Sequence, residues 1–192
     1  MLKERLKNYN IILASASPRR KQFFKDLNLN FTIQLKPVKE TYPSDLKETE
    51  ITDYLANLKA EAFTNLAKDD VLITSDTIVW LNNKALEKPK NETEAFKMLS
   101  ALSGKEHKVI TSVSIKTNIF QKIFNDTTSV FFKELSDAEI KYYIKNYQPF
   151  DKAGAYGIQE WIGFIGIKEI KGSYFNVVGL PVHKLYEELM KL

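Results

Sequence analysis

Residues 10–25, NIILASASPRRKQFFK, pack a strand, a small-residue turn and a helix start into one short stretch. The apolar run Ile11–Ala14 suits a strand, and Ser15-Ala16-Ser17 suits a tight turn. Ser17 is a natural N-cap, and Pro18 follows at the first helical position, where its missing N–H costs nothing. Phe23, Phe24 and Leu27 then recur at helical spacing and give the helix a buried side. Arg19-Arg20-Lys21 breaks the local rules, because three cations in a first turn oppose the helix macrodipole. The same placement gathers free N–H groups and guanidinium forks where a phosphate or carboxylate could bind. A solvated basic turn fits these residues equally well.

With 192 residues, the chain can form one substantial core or two closely packed lobes. Its 44% hydrophobic content, with twelve Phe and nine Tyr, places it among globular proteins. A net charge of +4 is too mild to argue for nucleic-acid binding, so cationic clusters are sought locally, opposite a small anion. The absence of cysteine excludes disulfides, thiolate nucleophiles and Cys-type zinc sites. The first ten residues are charged and lack the apolar centre of a signal peptide, and no apolar run reaches membrane-spanning length. A cytoplasmic protein without membrane partners is expected.

Phe31–Leu35 alternates like a strand, and residues 36–49 form a long polar loop with two prolines, a kind of loop that is often functional. A helix is expected from Glu50 to Ala67, with Ile51, Tyr54, Leu55 and Leu58 facing inward and Lys59 of undecided role. Val71–Leu81, almost wholly apolar and β-branched, predicts a strand buried on both faces. Asn91 with Glu94 and Ser136 with Glu139 resemble capping boxes opening two further helices. Between them Val109–Ile115 alternates as a strand, with an antiparallel partner over 119–132. Residues 149–159 are glycine-punctuated, Trp161–Ile170 suits a strand, Gly172-Ser173-Tyr174 a turn, and Pro181 opens a last helix. This order predicts an α/β fold with a mixed sheet.

Asp76 is the sharpest chemical signal, since a carboxylate inside a buried strand must be paired, hydrogen-bonded or metal-bound. The alternative is a strand break at Ser75-Asp76-Thr77 that turns Asp76 to solvent. Lys88, Glu40 and Lys59 taken singly read as ordinary solvated residues. Asp151 precedes Gly154 and Gly157, which permit close backbone approach to a ligand, and Gln159 can address an amide or carbonyl edge. The glycines serve a tight loop equally well. Ser103-Gly104-Lys105 fails as a P-loop because Leu99 and Glu106 occupy its other required positions. His107 and His183 lack partners at metal spacing and suit surface positions, and no Gly-x-Ser-x-Gly or His-Glu-x-x-His motif occurs.

Six segments occur together in register: Ser15–Arg20, Ser75–Val79, Glu87-Lys88-Pro89, Leu102–Gly104 with His107, Asp151–Gln159 and Val177–Pro181. Together they resemble the Maf family of nucleoside triphosphate pyrophosphatases, over nearly the whole chain. The resemblance implies one domain, residues 1–192, with an α/β fold of the inosine-triphosphatase type: a long mixed sheet and two lobes around a cleft. It implies hydrolysis between the α- and β-phosphates with a divalent cation, Mg²⁺ or Mn²⁺. Asp76 falls on the family's general-base position, and Ser15, Arg19, Arg20, Glu40, Lys59, Lys88 and Asp151 fall on its positions for phosphate, metal and water. The metal ligands implied are Glu40 and Asp76. Arg19, Thr77 and Gln159 match the dTTP/UTP branch rather than the 7-methyl-GTP branch. A homodimer is also implied. The alternatives are a purine-directed house-cleaning pyrophosphatase and a non-catalytic nucleotide-binding regulator of division. Two departures stand out: Ser75, where Ala or Gly is commoner, and Glu160-Trp161, where the family pattern is richer in glycine.

Overall fold

A computed structural model describes residues 1–192. In chain order the elements are α1 (Leu2–Arg5), β1 (Asn10–Leu13), α2 (Pro18–Asp26), β2 (Phe31–Ile33), α3 (Thr49–Glu61), β3 (Asp70–Leu81), β4 (Lys84–Leu86), α4 (Glu92–Leu102), β5 (Glu106–Lys116), β6 (Gln121–Phe132), α5 (Asp137–Tyr147), a 3-10 turn (Ala153–Ala155), α6 (Trp161–Gly166), β7 (Ile167–Lys171), α7 (Tyr174–Val178) and α8 (Val182–Leu189). They form the expected α/β fold around one mixed seven-stranded sheet, ordered β2-β1-β3-β5-β6-β7 with β4 paired to β3. β1 is parallel to both β2 and β3, whereas β3–β4 and β6–β7 are antiparallel. No helix is long and apolar enough to cross a membrane.

The chain divides into two compact units. The first comprises residues 1–76, 111–126 and 179–192. Its main core joins Leu13, Phe24, Val71, Ile73, Val113 and Leu185. The second comprises residues 77–110 and 127–178 and packs Val79, Leu99, Leu102, Val130, Tyr143 and Ile162 together.

The local signals mostly hold. Ser17 caps α2 by accepting from the Arg20 N–H, and Ser136 with Glu139 forms a complete capping box. Asn91 accepts from the Glu94 N–H, but the Glu94 carboxylate reaches the Lys90 N–H instead of closing the box. Asn82 and Asn83, both at positive φ, make the two-residue turn between β3 and β4.

Four expectations need correction. α3 ends at Glu61 instead of Ala67. Its final carbonyls are taken by lysines from elsewhere in the chain, Lys116 Nζ at Ala60 and Phe63 and Lys36 Nζ at Ala62, so no further turn is required. Tyr54, expected inside, is exposed. Trp161–Gly166 is helical, with the strand confined to Ile167–Lys171. Gly163 makes this helix feasible, because a Cβ there would lie 1.9 Å from the Ile158 carbonyl oxygen. His107 is buried within β5, not on the surface. It bonds the Tyr156 hydroxyl at 2.7 Å and sets its ring edge-to-face with Phe132 and Tyr156.

Candidate active site

In the first unit, β3 and α3 are laid against each other by two polar contacts one step apart. Thr74 and Asp76 share a face of β3, as residues i and i+2 must. Ala56 and Lys59 lie three apart on α3 and therefore also face the same way. The Thr74 hydroxyl donates to the Ala56 carbonyl at 2.6 Å. One step along, Lys59 Nζ donates to Asp76 Oδ1 at 2.7 Å. Lys59 also pairs with Glu40 Oε2 at 2.9 Å, which brings in the long loop after β2. β3 runs unbroken through Asp76, whose exposure is only 7%. The strand-break alternative is therefore excluded, and the ion pair supplies the partner that the buried carboxylate demanded.

α3 is further held by a buried polar chain. Thr52 Oγ1 and Ser112 Oγ lie 2.6 Å apart, the Ser112 hydroxyl donates to Asp53, and Asn125 Nδ2 donates to both Asp53 oxygens. These residues have no motif signal. Only the period-two relation of Thr74 to Asp76 was there to be noticed.

The basic turn after β1 also belongs to this unit. Ser15 is buried, and its Oγ accepts from the Ser17 N–H and from Arg20 Nη1. Arg20 donates Nε to the Gly179 carbonyl at 2.8 Å and Nη1 to the Ser75 carbonyl at 2.9 Å. It thus ties the α2 start to β3 and to the turn before α8. Burial lowers the Arg20 pKa to about 10, an effect opposed by the Asp76 carboxylate and reinforced by Arg19. The Ser75 hydroxyl is buried with no hydrogen-bond partner.

The second unit assembles the other expected residues around the glycine-rich turn. Gly154 has φ of 68°, and a Cβ there would meet Val79 Cγ2 at 2.7 Å, so this glycine serves close packing on β3. Its N–H donates to the Glu87 carbonyl at 3.1 Å, which pins the segment carrying exposed Lys88. Thr77 is the first β3 residue of this unit, two positions before Val79. Lys152 pairs with Asp151 at 2.7 Å and with Glu160 at 3.1 Å. Gln159 is half-buried, and its Oε1 is enclosed without a hydrogen-bond partner. Tyr143 carried no motif signal, and Lys152 stood out only as the neighbour of Asp151 in the glycine-punctuated stretch.

Glu40 and Asp76 present oxygens to one point within 3 Å, the Lys59 ammonium. No group of three or more His, Cys, Asp or Glu side chains converges anywhere in the structure. Two carboxylates suit a hard divalent cation that completes its shell with water and phosphate oxygens, not an all-protein cage.

The family model for Maf-like proteins matches residues 10–192. The chain belongs to the Maf-like family. A dTTP/UTP pyrophosphatase of Flavobacterium johnsoniae is 59% identical over 193 residues, covering 100% of each chain. One of Christiangramia forsetii is 56% identical, covering 100% of this chain and 98% of its own. A HAM1 protein from Coxiella burnetii superposes with a TM-score of 0.53 over 96% of this chain and 100% of its own; at 16% identity it shares the fold alone.

Proposed function

We infer that this Maf-like protein is a nucleotide pyrophosphatase that hydrolyses dTTP and UTP to the monophosphate and pyrophosphate. Full-length identity of 59% to a dTTP/UTP pyrophosphatase supports the activity. The observation that carries the chemistry is the Glu40–Lys59–Asp76 cluster, an acidic pair and a cation held on three separate segments.

In this proposal, residues 1–192 act as one functional domain. Ser15, Arg19, Arg20 and the first amides of α2 take the phosphates, helped by Lys59 and Lys88. Arg20 serves mainly through the frame that it builds from Gly179, Ser75 and Ser15. Asp76 orients a water, accepts its proton as it attacks the α-phosphorus, and is held in place by the β3 ladder and Lys59. Arg19 and the lysines offset negative charge on the departing pyrophosphate. Glu40 and Asp76 would hold a Mg²⁺ or Mn²⁺ ion, which when bound neutralises phosphate charge and acidifies coordinated water. Thr77 and Gln159 read the pyrimidine edge, Arg19 contributes to base choice, and Asp151 borders the base-reading turn. A cytoplasmic homodimer is part of the same proposal.

Pyrophosphate release from dTTP, UTP, CTP, 5-methyl-UTP and purine triphosphates, with Mg²⁺ or Mn²⁺, tests it. Turnover is expected to be greatest with dTTP and UTP. No turnover of any nucleotide would leave a binding regulator, and preference for inosine triphosphate or 7-methyl-GTP would overturn the pyrimidine assignment.

A further inference from the structure

The turn that carries Gln159 is braced by groups outside the proposed site. Tyr143, on α5, is fully buried. Its hydroxyl accepts from the Gly157 N–H at 3.0 Å and donates to Glu160 Oε2. Glu160 Oε1 in turn receives Lys152 Nζ, itself only 7% exposed. Gly157 and Glu160 flank Gln159, and Lys152 lies at the other end of the same loop. One phenol and one carboxylate therefore fasten the turn on both sides of Gln159. The turn also closes back on itself, since a Cβ at Gly157 would touch the Glu160 carboxylate at 2.9 Å and one at Gly163 would strike the Ile158 carbonyl.

A half-buried amide whose oxygen is enclosed without a partner discriminates only if it cannot swing to meet other ligands. A rigid donor–acceptor pair rejects a base edge of the wrong pattern because its own polar atoms are then left unpaired. A loose one re-aims and tolerates several edges.

We propose that Tyr143, Glu160 and Lys152 are positioning residues that hold Gln159 in the orientation that selects uracil and thymine edges. This inference rests on the assignment of Gln159 as a base reader. Phosphate handling lies with other residues and is independent of the brace. Loosening the brace therefore lowers selectivity without lowering the reaction rate on nucleotides that never used it.

The full-length enzyme, Tyr143→Phe, Glu160→Gln and, as reference, Gln159→Ala are compared for kcat and KM with UTP, dTTP, CTP and GTP, alongside thermal unfolding. Loss of the phenol's two hydrogen bonds, or of the Lys152–Glu160 pair, is expected to lower kcat/KM for UTP and dTTP by about fivefold to tenfold, chiefly through KM. The values for GTP stay within about twofold, so the pyrimidine-to-purine ratio collapses toward that of Gln159→Ala. Equal losses on all four nucleotides, or none, in folded variants would overturn the brace. Should Tyr143→Phe fail to fold, Glu160→Gln decides alone, because it keeps an acceptor for the phenol and replaces the oxygen facing Lys152 with a neutral NH2 that cannot accept from the ammonium. A wild-type enzyme without pyrimidine preference defeats the proposed function itself. A wild-type preference that survives Gln159→Ala defeats base reading by Gln159, and the brace with it.

Discussion

Each unit contains a lysine ammonium between two carboxylates, and the two triads are nearly superimposable in their distances. Lys59 sits 2.7 Å from Asp76 and 2.9 Å from Glu40; Lys152 sits 2.7 Å from Asp151 and 3.1 Å from Glu160. Their construction differs. The first gathers side chains from a loop, a helix and a strand, and its acid lies on the central part of a long buried strand. The second is drawn from one short loop, and one of its acids is also bonded to a buried phenol. An ion triad that spans separate elements presents charge at a place the sheet defines, whereas one within a loop fastens that loop. In the function proposed above, the same three charges serve chemistry in one unit and architecture in the other.

The largest expected effect breaks the first triad at its acid. Asp76→Asn keeps the shape and loses the base, so kcat is expected to fall by about a thousandfold or more while nucleotide binding, followed by calorimetry, persists. Near-wild-type turnover would remove Asp76 from the centre of the mechanism. Next, the two lysines are set against each other. Lys59→Met is expected to lower kcat/KM by about a hundredfold on every nucleotide, since it strips a cation from the phosphate side. Lys152→Met is expected to cost no more than about tenfold, confined to pyrimidine nucleotides. Equal losses from both would show that the triads share one role.

Thr74→Val sharpens the comparison further, because it removes the hydroxyl that donates to the Ala56 carbonyl beside the Lys59–Asp76 pair. Urea unfolding should show a loss of about 1–3 kcal/mol, with Thr74→Ser restoring most of it. The smallest effect concerns pH. Burial lowers the His107 pKa to about 3, whereas in the unfolded chain the group titrates near its ordinary 6.5. Between these values the unfolded state binds the proton first, so stability falls as pH drops, by at most about 1.4 kcal/mol per pH unit. Hydrogen bonding to Lys133 lowers Glu139 to about 2, so its contribution is lost only as pH falls below the ordinary carboxylate range of about 4.5. Urea titrations between pH 7 and 5 therefore isolate His107, and His107→Gln should flatten the slope there.

Local chemistry made several elements legible. Ser17-Pro18, Asn91 and Ser136 each act through neighbours a few residues away, and each appears where its residue type requires. Features completed from a distance were misread. The end of α3 depends on Lys36 and Lys116, and His107 is buried because Tyr156 and Phe132 come to meet it. The α6 turn, read as a strand, depends on the clearance at Gly163 over the Ile158 carbonyl.

Taken alone, the sequence determined the α/β class, the family, and the demand of Asp76 for a partner, because a carboxylate in an apolar β-branched run carries that requirement wherever it folds. Tertiary structure decided which cation answers it. Lys59 looked no different from other lysines until α3 was laid along β3 with Thr74 on Ala56, and Lys152 was one charge of a glycine-punctuated loop until Glu160, itself bonded to Tyr143, paired with it. The physical reason is that charge is written in residue type, while its distance, burial and partners exist only after distant segments have packed.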